Sequence, residues 1–272
     1  MLLSVVLHLV ADKAATLPYH LGRANQSEFL SWVRAADPRI ATYLHDQNAP
    51  PHFTCSSLVG PDPGSDSRSI RPQQTYSVRF TSLDRDVSLF LEELFHHNPP
   101  LRWTLHGHTF RVTAICADPQ VHGWSGYTSF EELAARYLLD EAGPLRRRIT
   151  LDFASPTAFK SGGVHVPVPM PGLVFGSLLD RWNACSPISL PDDVRAYAEE
   201  CVAISRYHLQ SAPVKNKQGS VIIGGAGQVT YSILEEDAYG LAALHLLADF
   251  ALFSGVGVKT TSGMGQARRV MT

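Results

Sequence analysis

The order in which apolar patterns change period constrains this chain most. β-Branched, partly alternating stretches at Leu2 to Val10, Phe53 to Val59, Thr75 to Leu83 and Thr104 to Ala117 predict strands. Between them "SEFLSWVRAA" and "RDVSLFLEELFHH" place apolar residues three and four apart and predict helices. The first half therefore reads β-α-β-β-α-β. A turn-rich "ADPQVHGWSGYT" follows, then a helix whose start is marked by Thr128 and Glu131 as a capping-box pair and whose end falls near Gly143-Pro144. Beyond it come a strand in "RRRITLDFA", an extended "VHVPVPMP", a helix from Gly172 to Trp182, strands at Cys201 to Leu209 and Val221 to Leu234, a helix from Glu236 to Phe253 and a last glycine-rich strand. A split βαβ unit that occurs twice predicts an α+β chain of two tandem ferredoxin-like (βαββαβ) domains. The predicted boundaries are 1–117 and 146–272, with 118–145 a connector that carries a helix.

Composition limits what such a fold can bind. With 44% apolar and 18% charged residues in 272, there is material for a real core. A net charge of -2 gives no global pull on a polyanion, so any nucleic-acid site must be a local basic patch. Cys55, Cys116, Cys185 and Cys201 lie far apart without a C-x-x-C pair, which predicts core thiols in a reducing cytoplasm rather than disulfides or a zinc site. The apolar start "LLSVVLHLV" lacks a basic flank and a cleavage site and reads as a strand. "LAALHLLADFALF" is too short to span a bilayer and carries His245 and Asp249. A cytoplasmic protein with no cofactor and no resident metal is expected.

The tail "SGVGVKTTSGMGQARR" spends four glycines where a strand should be. Glycine costs backbone entropy and supplies no packing surface, so something must approach the backbone there, or the chain must bend sharply. Gly255, Gly257, Gly263 and Gly265, with Lys259, Thr260, Thr261 and Ser262, have the composition of an anion-binding nest, and phosphate is the expected anion. A glycine-hinged hairpin tip with no ligand is the plain alternative. Neither a P-loop nor a dinucleotide turn is present, which argues against ATP and NAD.

Several stretches taken together, "LHDQNAPPHFTCSSL", "HGWSGYTSFEEL", "LDFASPTAFK", "GGAGQVTYSI" and "FALFSGVGVKTTSGMGQARR", resemble in order and spacing the Cas-six family of CRISPR-associated endoribonucleases, in the RAMP superfamily. The resemblance runs over nearly the whole chain. It implies RNA held in or on the surface between two ferredoxin-like domains, with CRISPR repeat RNA as the partner and other effector subunits or a homodimer as further partners. It also implies metal-independent cleavage, in which a ribose 2′-OH attacks the adjacent phosphate and leaves a 2′,3′-cyclic phosphate and a 5′-OH. That chemistry needs a base, an acid and a positive donor beside the phosphorane. Within the resemblance His45, in "ATYLHDQ", takes the position of the family's catalytic histidine. His52 stands where many members carry a lysine. His20, in "LPYHLG", and Tyr43 are weaker candidates for the third role, and packing is favoured for Tyr43. Expected RNA contacts are Lys215, Lys217, Lys259 with its neighbours, Arg268, Arg269 and Lys160, with the triple arginine at 146–148 the weakest.

Three other readings compete. "LHGHTFRV" looks like the zinc-binding H-G-H of pyruvoyl-tetrahydropterin synthases, with His106 and His108 at alternate strand positions, but the rest of that motif set is missing. "PHFT" resembles half of a two-histidine phosphoesterase, and no second half exists. A RAMP-type subunit that holds guide RNA without cutting it would share the fold and the glycine loop, and only the histidines separate it from the enzyme.

Overall fold

A computed structural model describes residues 1–46, 52–61, 67–139, 143–215, 219–235 and 237–270. The chain divides into two compact units, one of 1–127 with Thr261–Gly263 and one of 128–260 with Met264–Thr272.

The first unit runs β1 (Leu2–Ala11), β2 (Ala15–Pro18), α1 (Gly22–Ala36), α2 (Pro38–Leu44), β3 (Phe53–Cys55), β4 (Ser67–Ile70), β5 (Thr75–Ser82), α3 (Arg85–His97), β6 (Arg102–Leu105), β7 (His108–Cys116) and the short β8 (Gly126–Thr128). Its sheet has the order β3-β5-β1-β7-β6, with β8 added to β1. The pairs β1–β5, β1–β7 and β3–β5 are antiparallel. That is the split βαβ arrangement, in which the third principal strand, β5, sits between the first two. One face of the sheet buries Leu3, Val5, Leu7 and Leu9 of β1 with Phe80 of β5 against Phe29, Leu30 and Val33 of α1 and Val87 and Leu91 of α3. Phe29 stacks on Phe80 at 4.7 Å, a ring whose truncation to alanine costs about 3–5 kcal/mol.

The second unit repeats the plan. It comprises α4 (Phe130–Leu138), β9 (Arg148–Thr157), the hairpin β10 (Phe159–Ser161) and β11 (Val164–Val166), α5 (Pro171–Cys185), α6 (Asp193–Glu200), β12 (Val202–Lys215), β13 (Val221–Ile233), α7 (Ala238–Ser254) and β14 (Ala267–Val270); a 3-10 turn (Thr260–Ser262) starts at its Thr260 and runs on into residues counted with the first unit. The sheet order β12-β13-β9-β14 is again the split βαβ order. Among the described residues no helix is long and apolar enough to cross a membrane. Cys55, Cys116 and Cys201 are buried and Cys185 is half-buried, and none of the four is in a disulfide.

Several local expectations are corrected. The single strand expected over Thr104 to Ala117 is two strands, because His106 (φ 51°) and Gly107 (φ 79°) turn the chain between Leu105 and His108. Left-handed backbone at both central positions is the mark of the tight hairpin turn that matches strand twist. The capping box lies one residue later than expected: Ser129 accepts from the Glu132 N–H while Glu132 reaches back to the Ser129 N–H, and Thr128 instead donates to the Glu132 carboxylate at 2.8 Å. The glycine tail is a loop between α7 and β14, so the last strand begins only at Ala267. Two short helices, α2 and α6, were not anticipated.

Candidate nucleic-acid interface

In the first unit the site grows from the start of α1. Leu21 at the N-cap supplies no side-chain oxygen to the helix's first N–H groups, and its own N–H donates to Ser57 Oγ at 2.9 Å. Asn25, one turn on and fully buried, locks the helix to β3 by donating to Ser56 O at 2.9 Å while accepting from Trp103 Nε1 at 2.8 Å. A helix fixed this way presents its positive pole at a set place. Gly263 pairs there with Ser56 as an isolated parallel bridge. A Cβ on Gly263 (φ 92°) would stand 2.7 Å from Gly22 Cα, and a Cβ on Gly22 would stand 2.0 Å from Ser262 O. Two glycines far apart in sequence therefore allow one backbone crossing. Ser262 Oγ donates to Gln26 Oε1 at 2.9 Å.

His20 borders this crossing. Its Cε1 lies 3.0 Å from the place a Gly263 Cβ would occupy, and its Nε2 is buried without a hydrogen-bond partner. Burial lowers its pKa below the usual imidazole value, a hydrogen bond with the Gly263 backbone opposes this in part, and the nearby Arg68 guanidinium adds a smaller downward push. Burial therefore favours the neutral form of the ring.

The other candidate histidines sit on other elements. His52 precedes β3, and its ring stacks on Tyr43 with centroids 5.0 Å apart. Tyr43 in turn donates to Asp84 Oδ2 at 3.0 Å, and the other oxygen of Asp84 caps α3 through the N–H groups of Asp86 and Val87. His45 is the exposed C-cap of α2. His52 and Ser56 lie at opposite ends of β3, about 13 Å apart at the usual rise per strand residue. Thr54 of the "PHFT" run bonds Thr81 inside the sheet at 2.8 Å, which removes it from any phosphoesterase role. His106 sits on a hairpin turn and not on a strand, so the geometry supposed for an H-G-H zinc pair is absent.

In the second unit the tail is built around a different need. Gly257 (φ 75°) lies so close to β9 that a Cβ would stand 2.3 Å from Ala158 O, an oxygen that also accepts from the Val258 N–H at 2.9 Å. Gly255 and Gly265 face each other across the loop in the same way, with Val256 N–H donating to Gly265 O at 2.8 Å. These glycines thus let the loop pack closely against the protein's own backbone. Thr260 is buried and accepts from Arg181, whereas Lys259 is exposed and left-handed at φ 58°. Thr261 is half-buried beside Ser262.

A small core of Ala158, Val214, Ile222 and Met264, with Val258 against it, gathers three segments of this unit. Lys160, Lys215 and Lys259 each lie within two residues of a member of that core, and all three are exposed. Residues 153–179, 202–234 and 250–272 contain no Asp or Glu, so the segments that carry these lysines bring no carboxylate of their own. Lys217 lies outside the described residues. Other expected contacts are occupied within the fold. Arg268 faces Asp152 at 3.7 Å, and Arg269 donates to Tyr137 at 3.0 Å and to Asp249 at 3.3 Å. Tyr137 also donates to Asp249, and burial together with that carboxylate pushes its phenol up to about 12. Arg147 of the triple arginine is spent on Ile233 O and Leu234 O.

Comparison with known proteins fits this arrangement. The family model for CRISPR-associated endoribonuclease Cas6 matches residues 151–267, and that for the CRISPR Cas6 N-terminal domain matches residues 1–135. A solved Cas6 product complex is 30% identical with a TM-score of 0.79, over 99% of this chain and 100% of that one. The chain belongs to the Cas6 family. Thermus thermophilus Cas6 superposes with a TM-score of 0.74 at 28% identity, over 99% and 98% of the two chains. A RAMP protein described as binding different RNA substrates (TM-score 0.61, 16% identity, 99% and 100% coverage) shares the fold. The curated Cas6 endoribonuclease of Mycobacterium tuberculosis is 34% identical over 128 residues, which are 47% of this chain and 40% of that protein. For Streptococcus thermophilus Cas6 the figures are 29% over 140 residues, 50% and 56%. The chain thus spans about half the length of the curated relatives it matches. The tandem ferredoxin-like architecture expected from element order is the Cas6 architecture.

Sequence reasoning ranked His45 ahead of His20, yet His20 is the histidine in contact with the tail. It did not find Arg68, Asn25, Gln26, Asp84 or Arg181; Asn25, Gln26 and Arg181 have partners distant along the chain. Asp84 alone had a local signal, as the residue before an apolar helical run.

Proposed function

We propose that the protein is an endoribonuclease that cuts CRISPR repeat RNA within precursor transcripts without a metal ion. His20 takes the proton from a ribose 2′-OH, and the 2′ oxygen forms a bond to the adjacent phosphorus as the bond to the 5′ oxygen breaks. His45, exposed at the end of α2, returns a proton to that departing oxygen. The products are a 2′,3′-cyclic phosphate and a 5′-OH. The reading rests on one observation above the rest, that His20, buried so that its neutral form is favoured, lies beside Gly263 near the positive pole of α1. A base poised this close to an anion-attracting helix end suits attack at a phosphodiester. His52, stacked on Tyr43 at the far end of β3, serves contact with RNA and not proton transfer. Lys160, Lys215 and Lys259 hold phosphates, and Thr261 and Ser262 supply hydroxyls near His20.

The test is cleavage of the protein's own repeat RNA in EDTA. One cut with a cyclic-phosphate end is expected, and His20→Ala and His45→Ala should each slow it by about 10²-fold or more while RNA binding changes little. Tight binding with no cut would make the protein a guide-RNA-holding subunit. Cleavage only with added divalent cation would sink the mechanism.

A further inference from the structure

Helix α5 is largely apolar and buries Val174, Phe175, Leu178, Leu179 and Trp182. Two polar side chains one turn apart on it, Ser177 and Arg181, take hold of the tail. The Gly257 N–H donates to Ser177 Oγ at 2.9 Å. Arg181 Nη1 donates to Ser254 O and to Thr260 Oγ1, the latter at 2.8 Å, while Nη2 reaches Gly257 O at 3.5 Å. Both ends of the 254–260 loop are therefore fastened to one helix. A planar guanidinium suits this, because its donors have a fixed fork that a lysine lacks.

The fastening has an electrostatic cost. Among the described residues no carboxylate pairs with Arg181, whose partners are two carbonyls and a hydroxyl. Burial pulls the guanidinium down to about 10, so it stays charged at neutral pH without a counterion. A half-buried charge on neutral partners is a poor way to gain stability alone. What it achieves is geometric. Lys259 has a left-handed backbone, which a residue with a side chain keeps only where its surroundings over-determine it. Val258 is held to Ala158 O, Thr260 to Arg181, and the Lys259 carbonyl accepts from the Met264 N–H at 3.2 Å.

We propose that Arg181, with Ser177, is a positioning residue for RNA binding: it fastens the tail so that the Lys259 ammonium is held out toward a phosphate. This rests on the proposed RNA reading of Lys259. The test is a double-mutant cycle on affinity for uncleaved repeat RNA, measured against salt, with Arg181→Met, Lys259→Met and the pair. Lys259→Met should weaken binding several-fold and lower the log–log salt slope by about 1. Arg181→Met should do the same, and the pair should be no worse than either alone. Arg181→Lys, which keeps the charge and loses the fork, should lose nearly as much as Arg181→Met. Losses that multiply, or full recovery in Arg181→Lys, would overturn the proposal.

Ser177→Ala guards against global unfolding, since it removes only the Gly257 anchor. It should give a partial affinity loss with an unchanged melting temperature, and normal affinity in this variant would count against the proposal. Amide hydrogen exchange in the free protein separates the two readings. Faster exchange at 256–264 in Arg181→Met, with β9 and β13 still protected, supports the clamp. If that occurs while no Lys259 variant affects RNA, the clamp stands and the RNA role of Lys259 fails. Unchanged exchange in the loop removes the clamp itself.

Discussion

The two units share a strand order and differ in the charge chemistry they carry. Of the 12 histidines, all but His165, His208 and His245 fall before residue 128, whereas every lysine except Lys13 falls after it. Imidazoles titrate near neutrality and can move protons, while ammonium groups hold a fixed positive charge near pH 7. The contrast extends to glycine. In the first unit Gly22 and Gly263 let one crossing form beside a histidine, and in the second Gly257 lets a loop lie against β9 with a lysine at its exposed tip. Under the proposed function, one frame would serve reaction and the other grip.

The sharpest way to break that contrast is to separate rate from affinity. His20→Ala should lower the single-turnover rate at saturating RNA by about 10²-fold or more and leave affinity within a few-fold, with Lys259→Met showing the reverse. If both variants lower both quantities alike, the division between the units is false.

Next in size is the backbone crossing. Gly257→Ala places a Cβ against Ala158 O in a left-handed conformation, and about 2 kcal/mol or more should be lost from the second unit, read as a lower melting temperature. Retention of the wild-type melting temperature would mean that the loop shifts freely.

A smaller effect is expected from pH. Burial lowers the pKa of His20 in the first unit and of His245 in the second, where Arg269 lowers it further against Arg146 O and Asp249. Each folded unit then binds that proton less readily than the unfolded chain does, so the stability is complete above about pH 6.5 and falls as the pH drops through and below it. His20→Gln should flatten the pH dependence of the first unit's unfolding alone, and His245→Gln that of the second. Cleavage should likewise fall off on the acid side, as His20 gains a proton. An activity that rises on acidification would remove His20 as the base.

The smallest change is Tyr43→Phe, which deletes the bond to Asp84 and keeps the ring over His52. A loss of under about 1 kcal/mol is expected in thermal unfolding, with Tyr43→Leu worse in RNA affinity because the stack goes as well.

Much of the frame was legible because its signals are local. Strands β1, β5 and β13 and helix α7 lie within a few residues of their expected bounds, since alternation and three-to-four spacing are properties of neighbours. Near misses have local causes too. Thr128 and Ser129 are each followed three positions later by a glutamate, so the sequence offers two capping boxes and packing chooses one. Asp37-Pro38 splits the α1 and α2 pattern, and Asp37 does cap α2 by accepting from the Arg39 N–H at 2.8 Å. His106-Gly107 is not the usual Asn-Gly of a tight hairpin, which hid the turn. The site was less legible because its contacts are long-range. Glycines announce a close approach and are silent about what approaches, and nothing near Gly263 in sequence points to Gly22. Arg181 sits in an apolar helix where a lone cation reads as the solvent stripe.

Lys259 carries one more implication. Glycine would sit at its left-handed backbone angle without strain, so Lys259→Gly should make the fold slightly more robust by about 1 kcal/mol. Selection for heat tolerance alone would therefore favour glycine at this position, and a hardier descendant would be the one that gave up the exposed ammonium.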